Sequence, residues 1–286
     1  MTLLARQLRT LLVLGRVSNL PTVWSNCLAA WLLNGGIIAP QFFLLCAGAT
    51  LLYTGGMFLN DAFDVEFDRR HRVERPIPSG QISSRNVWLL GTGFLLAGWL
   101  LLPPLGAGAT WLGLLLLAAI VSYDALHKRT ALAPLIMAAC RFLLYLVAAT
   151  AAENRIAGGV IWHGLALAAY VAGLSFLARG ESNHSLVSRW PLLLLLAPVV
   201  ANAMVPAVQT TLSWSATAVL ILWVGWCLRG SLGKSAQVTG PAVAGLLAGI
   251  VLVDWAAVAS PDLGGTLTFI GLFCLALLFQ RKIPAT

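Results

Sequence analysis

The sequence predicts an all-α integral membrane protein with ten spans, or nine as the alternative count. Three observations carry this: a composition too apolar for a water-facing surface, ten separate apolar stretches of spanning length, and positive charge concentrated on one side. Of 286 residues, 59% are hydrophobic and 10% are charged, whereas soluble domains carry about 25% charge. The 18 Lys and Arg and 10 Asp and Glu residues are too few to cover a soluble fold of this size. This excludes a soluble globular protein, a disordered chain and, despite the net charge of +8, a nucleic-acid binder. The basic excess reads instead as an orientation signal and as contact with an interface or an anionic ligand. Cys27, Cys46, Cys140, Cys227 and Cys274 lie in apolar runs without a C-x-x-C pair. They read as small packing residues rather than as a disulfide framework or metal site.

The elements follow in order. Residues 1–16 alternate leucines with Arg6, Arg9 and Arg16, the pattern of a basic amphipathic helix at the membrane surface. A cleaved signal peptide is the alternative, disfavoured because the next apolar stretch is long enough to span. The expected spans are 17–36, 42–62, 87–103, 107–124, 132–151, 160–178, 190–208, 212–229, 241–258 and 264–281, each near the 20 or so residues that cross a bilayer. Pairs such as Gly35-Gly36, Pro103-Pro104 and Gly158-Gly159 punctuate the joins. With ten spans, 16 of the 18 basic residues fall on one side, which the positive-inside rule makes cytoplasmic, together with both termini. Nine spans would place Arg281 and Lys282 outside. A single membrane domain over 1–286 is expected, in the cytoplasmic (inner) membrane, with 63–86 as its large cytoplasmic connection.

The second span runs into Asn60-Asp61-Ala62-Phe63-Asp64-Val65-Glu66-Phe67-Asp68-Arg69-Arg70. Asp61, Asp64 and Asp68 are spaced i, i+3, i+7, so on a helix they share an arc of about 60° along about 10 Å. Like charges stacked at a bilayer edge repel one another and require cationic compensation. A pair of Mg²⁺ ions suits the stripe, since Mg²⁺ takes one or two carboxylates plus waters and phosphate oxygens. The next segment supplies Arg69, Arg70, Arg72 and Arg75, whose guanidinium forks match phosphate. The alternative is a solvated interfacial run whose charges pair with one another.

The pattern Asn60-Asp61-x-x-Asp64-x-x-x-Asp68-Arg69, followed by Arg75-Pro-Ile-Pro-Ser-Gly80, resembles the first aspartate-rich motif of the UbiA superfamily of intramembrane prenyltransferases. Arg16-x-x-Asn19 resembles that family's entry to its first helix, with Val17 in place of the usual Pro. Tyr123 with Lys128-Arg129 resembles its Tyr…Lys-Arg loop. The resemblance implies a helical bundle around a central cavity, an allylic prenyl diphosphate held there through Mg²⁺, and transfer of the prenyl group to a small aromatic or lipophilic acceptor. By position it also implies that Asn60, Asp61, Asp64 and Asp68 hold Mg²⁺ and diphosphate. Arg69, Lys128 and Arg129 would neutralise the diphosphate, Arg16, Asn19 and Arg75 would contact substrate, and Tyr123 would line the reacting end. Phe58 and Phe63 are further aromatic candidates for facing the allylic cation.

The chain departs from the family pattern after its sixth span. In place of a second D-x-x-x-D motif it has Arg179-Gly180-Glu181-Ser182-Asn183-His184. Glu181 is the expected second-site metal ligand, assisted by Asn183 or His184, with Arg179 on the diphosphate. The alternative is a basic-side loop in which Arg179 and Glu181 pair. The Tyr123-to-Lys128 interval is one residue longer than in some relatives, and Asp124 and His127 inside it are substitute ligand candidates. Arg141 falls within a span and must face the interior, either as partner to an acceptor carboxylate or phenolate or in a structural pair with helix-end carbonyls or an intramembrane acid, for which Asp254 is the obvious mate. Gly245-x-x-x-Gly249 predicts close helix packing. A non-catalytic isoprenoid-diphosphate binder and a small-molecule transporter with midplane charges at Arg141 and Asp254 are the rival functions.

Overall fold

The computed structural model describes residues 3–182, 190–205, 210–230, 240–258 and 263–284. All regular structure among them is helical. A short helix α1 (Leu3–Leu14) leads through a 3-10 turn (Val17–Asn19) into α2 (Leu20–Leu33). Then come α3 (Pro40–Phe63), the short α4 (Val65–His71), α5 (Ser84–Leu100), α6 (Ala107–Leu126), α7 (Ala133–Ala152) and α8 (Gly158–Ser182). The last third contains α9 (Trp190–Leu194), α10 (Ala197–Met204), α11 (Thr211–Leu228), α12 (Gly240–Ala248), α13 (Ile250–Val258) and α14 (Leu263–Gln280).

Each expected span coincides with a helix or a broken helix pair. Eight helical segments among the described residues are long and apolar enough to cross a membrane. The helices described within the stretches expected at 17–36 and 190–208 are shorter, and 206–208 lie outside the described residues. At 14 residues, α2 is about 21 Å long. Residues 190–204 form α9 and α10, with Pro198 in the first turn of α10, where its missing N–H and its ring oppose continuation of α9. The ninth expected span is also split, at Gly249. There the fully buried Tyr170 donates its hydroxyl to Leu246 O at 3.0 Å, and a Cβ on Gly249 would stand 2.7 Å from that hydroxyl. The predicted close packing at Gly245 also holds, since a Cβ there would lie 2.6 Å from Cys227 Sγ.

The helix α2 is the hub. It packs against α3, α7, α13 and α14, while α6 and α8 flank α7. At the end of the bundle away from the aspartates, Asn34 staples α2 to its neighbours. Its Nδ2 donates to Ala149 O and Arg155 O, both at 2.8 Å, and its Oδ1 accepts from Ala157 N at 2.9 Å. The α3–α5 contact is built on glycine. Gly55 approaches Gly91, and Gly48 approaches Gly98, so closely that an added Cβ at Gly55 or Gly98 would sit 2.8 Å from the facing carbonyl. The seven-residue spacing on both antiparallel helices repeats this backbone approach one heptad apart, which is how small residues bring membrane helices together. The contact holds α3 against α5 between Gly48 and Gly55, ahead of the turn from which the acidic stripe emerges.

Candidate active site

Asn60 and Asp61 lie in the last turn of α3, Asp64 forms the joint, and Asp68 lies in α4. The joint is a local rise in ψ, to −4° at Asp64, from the helical value of about −42°. The ladder runs through it, with Asp64 N to Asn60 O at 3.0 Å and Asp68 N to Asp64 O at 2.9 Å. The stripe expected from spacing is therefore preserved across two helices, and all three aspartates and Asn60 are buried.

Basic groups from three other segments meet this row. Arg75 Nη1 donates to Asp61 Oδ1 at 2.7 Å and lies 3.7 Å from Asp68 Oδ2. Arg16 Nη2 reaches Asn60 Oδ1 at 3.4 Å and Asp61 Oδ1 at 3.5 Å. Lys128 Nζ lies 2.8 Å from Asp64 Oδ1 and His127 Nε2 lies 3.2 Å from it. Asn60 Nδ2 donates to Asp124 Oδ1 at 3.1 Å, which adds a fourth buried carboxylate from the end of α6. Tyr123 is half-buried and stacks on His127 at 5.3 Å between ring centroids.

Two local features bring the arginines in. Arg16 has φ of 41°, a left-handed conformation that costs an L-residue roughly 1–2 kcal/mol. It turns the chain sharply between α1 and α2, which aims the guanidinium at α3. Arg75 begins a strap of turns in which Ser79 N bonds Arg75 O and Gly80 N bonds Ile77 O. Ile77 is buried with Leu14, Phe58, Ala62 and Val87 in a small apolar core of its own, so the strap is pinned beside α3.

The electrostatics differ along the row. Burial pushes the Asp64 carboxyl up, but the hydrogen bonds from His127 and Lys128 outweigh it and hold the group below the usual carboxylate range. At Asp68 burial dominates the pull of Arg75, and the nearby Asp64 reinforces it, so this carboxyl is raised. Asp68 Oδ1 and Asp124 Oδ2 are buried without hydrogen-bond partners. Unpaired buried acceptors are costly, and these two oxygens keep free valence within the site. The acids form a row rather than converging on one point, and no set of three His, Cys, Asp or Glu side chains encloses a metal position among the described residues. An all-oxygen row suits Mg²⁺, which keeps several waters and takes phosphate oxygens beside one or two carboxylates.

Other expected residues lie elsewhere. Arg69 and Arg129 are exposed, and neither pairs with these carboxylates. Asn19 is buried at the start of α2. Arg179 donates to Thr130 O at 2.7 Å, which ties the end of α8 to the loop carrying Lys128. Glu181 falls in the last turn of α8 and its side chain is outside the described part of the structure. Asn183 and His184 lie outside the described residues. Of the aromatic candidates, Phe58 is fully buried against Phe94 and Phe63 is partly exposed against Trp88.

Arg141 belongs to a second cluster deeper in the bundle. Its Nη1 donates to Asn26 Oδ1 at 2.8 Å and Thr22 O at 3.3 Å, and its Nη2 donates to Thr22 Oγ1 at 3.1 Å. Asn26 Nδ2 in turn donates to Asp254 Oδ2 at 2.7 Å, Ser25 Oγ donates to the same oxygen at 2.6 Å, and Tyr145 OH donates to Asp254 Oδ1 at 3.3 Å. Arg141 and Asp254 are thus coupled through Asn26 rather than in direct contact.

The family model described as the UbiA prenyltransferase family matches residues 19–263. The chain belongs to the UbiA prenyltransferase family. A 4-hydroxybenzoate octaprenyltransferase of Pectobacterium carotovorum subsp. carotovorum is 31% identical over 99 residues, 34% of each chain. A digeranylgeranylglyceryl phosphate synthase of Methanoculleus marisnigri is 41% identical over 58 residues, covering 20% of this chain and 21% of that protein. The matched segments therefore span about a third or less of these relatives. Among solved structures, one of a digeranylgeranylglyceryl phosphate synthase superposes with a TM-score of 0.64 at 17% identity, covering 94% of this chain and 99% of that one. A UbiA homologue from Archaeoglobus fulgidus, solved with GPP and Mg²⁺, gives 0.54 at 14% identity, covering 96% and 97%. Both share the fold of this UbiA-family protein, which is an integral membrane protein.

Proposed function

We propose that this protein is an intramembrane prenyltransferase that ionises a prenyl diphosphate with the help of Mg²⁺ and passes the prenyl group to a small aromatic or lipophilic acceptor. The observation that carries this reading is the buried row Asp61, Asp64 and Asp68, each met by a basic side chain from another segment. A surface charge cluster would be solvated, whereas this one is buried at the end of an apolar bundle. The reading places the basic end of the bundle on the cytoplasmic side of the inner membrane.

Asp61, Asp64 and Asp68, with Asn60 and the adjacent Asp124, are the oxygens that would hold Mg²⁺. Bound there, the ion would neutralise negative charge accumulating on the departing diphosphate. Arg16, Arg75 and Lys128 are the cations nearest the row and would take phosphate oxygens on the remaining sides. Cleavage of the allylic C–O bond leaves the electron pair on diphosphate and a cation on carbon. The acceptor's nucleophilic atom forms the new bond and then loses its proton. The apolar bundle excludes water that would otherwise capture the cation. The A. fulgidus homologue, described as bound to GPP or DMAPP with Mg²⁺, and the prenyltransferase names of the matched relatives support the same chemistry here.

The test is incubation of purified protein with labelled prenyl diphosphates of several chain lengths, following pyrophosphate release and prenylated product with and without candidate acceptors. Turnover should require Mg²⁺ and should be abolished in Asp61→Ala and in Asp64→Ala. Unimpaired turnover in both variants would remove the row from the mechanism. Mg²⁺-dependent binding without release under any acceptor would favour a non-catalytic carrier.

A further inference from the structure

The helix α1 presents three separate faces. Leu4, Leu8 and Leu11, at i, i+4 and i+7, are 75%, 56% and 38% exposed, and they occupy an arc of about 60°. Arg6 and Arg9 project on the opposite side and are exposed as well. The third face attaches the helix to the protein. Thr10 is buried with its Oγ1 3.0 Å from Gln81 Oε1 in the strap, and Leu14 is fully buried in the small apolar core with Ile77.

At 12 residues, α1 is about 18 Å long, too short to cross a bilayer. Yet its leucine stripe has no protein cover among the described residues, while Thr10 and Leu14 hold it at the end of the bundle where the acidic row and its arginines lie. Residues 1–16 contain three arginines and no acidic residue. Exposed leucines opposite arginines, on a helix fixed at the basic end of a membrane bundle, form the arrangement of a helix lying in the headgroup plane.

We propose that α1 is an in-plane anchor whose Leu4, Leu8 and Leu11 enter the acyl region and whose Arg6 and Arg9 recruit anionic phospholipid headgroups. Charge complementarity selects the occupant, because basic residues beside a membrane favour anionic over zwitterionic lipid. The contact concerns lipid alone and is independent of the chemistry assigned to the acidic row.

The experiment uses the whole 286-residue chain with its five cysteines replaced by alanine and Leu8→Cys labelled with bimane, reconstituted in phosphatidylcholine nanodiscs. Brominated phosphatidylcholine or brominated phosphatidylglycerol is then added at equal mole fraction. Both lipids should quench the label, the anionic one about twofold or more strongly, and Arg6→Gln with Arg9→Gln should erase the difference. A label at Leu4→Cys should repeat the pattern. Absence of quenching by either lipid would mean that a second copy or another protein covers the stripe, and would overturn the proposal. Equal quenching by both lipids in the unsubstituted helix would overturn it too.

Discussion

The acidic row at the end of α3 and the Arg141–Asn26–Asp254 cluster inside the bundle use the same kinds of groups in opposite ways. In the inner cluster both Asp254 oxygens accept hydrogen bonds, and Arg141, Asn26, Ser25 and Tyr145 all donate within it. In the row, Asp68 Oδ1 and Asp124 Oδ2 are buried and unpaired, and the Lys128 side chain is 35% exposed. A polar cluster that closes on itself rigidifies what it joins, here α2, α7 and α13. One that keeps free acceptors beside a partly exposed cation has capacity left for a ligand.

Removing either charge of the inner cluster tests whether that cluster is structural or binds a ligand. If it is structural, removing one charge leaves the other, and the Asn26 bridge between them, uncompensated in an apolar bundle, and an uncompensated buried charge costs about 3–5 kcal/mol. Asp254→Ala or Arg141→Ala should therefore sharply lower the unfolding temperature of the detergent-purified protein. The double variant Arg141→Gln with Asp254→Asn, which removes both charges and retains hydrogen-bonding groups, should recover most of the loss. Singles that remain stable but lose affinity for acceptor would reassign Arg141 to substrate, as its place within a span also allowed.

A smaller effect separates two arginines that look alike in the sequence. Arg75 reaches Asp61 and Asp68, whereas Arg69 is exposed on α4. Arg75→Gln should cost roughly 100-fold in kcat/KM for the prenyl diphosphate, the scale of losing one preorganised charge-stabilising donor. Arg69→Gln should change it by less than about threefold, as expected of a solvated cation. Reversal of that order would show that the strap reorganises when substrate binds.

These arginines also mark where the sequence stops being informative. The spans were readable because hydrocarbon thickness demands long apolar runs, and the stripe was readable because its i, i+3, i+7 spacing survives the α3–α4 joint. Which cation faces which acid depends on the fold. The turns after Arg72 bring Arg75 back to Asp61, while α4 carries Arg69 to the outside. Asp254 and Asn26 meet across 228 residues, and nothing local in either segment names its partner. The heptad-spaced glycines of α3 and α5 were visible, but glycine is common in membrane helices, and only the facing backbone shows that these four positions form one contact. The break at Gly249 is set by the Tyr170 hydroxyl from α8.

The smallest effect concerns acid, and it acts within the row itself. Because the folded Asp64 carboxyl sits below its ordinary value of 3.8, its ionised form stabilises the fold. That contribution is complete above the unfolded value and is lost as pH falls through the folded one. Asp68, raised by burial, has the opposite sign: its ionisation disfavours the fold, so this residue loses stability as pH climbs through its folded value. Lys128→Gln removes one of the two hydrogen bonds that outweigh burial at Asp64. It should move the acid-side loss of thermal stability to higher pH, read from unfolding temperatures recorded across about pH 3–6. Asp68→Asn should leave that acid limb in place and raise stability on the alkaline side. An acid limb unmoved by Lys128→Gln would mean that His127 alone sets the Asp64 carboxyl, and that Lys128 is free for diphosphate without cost to the fold.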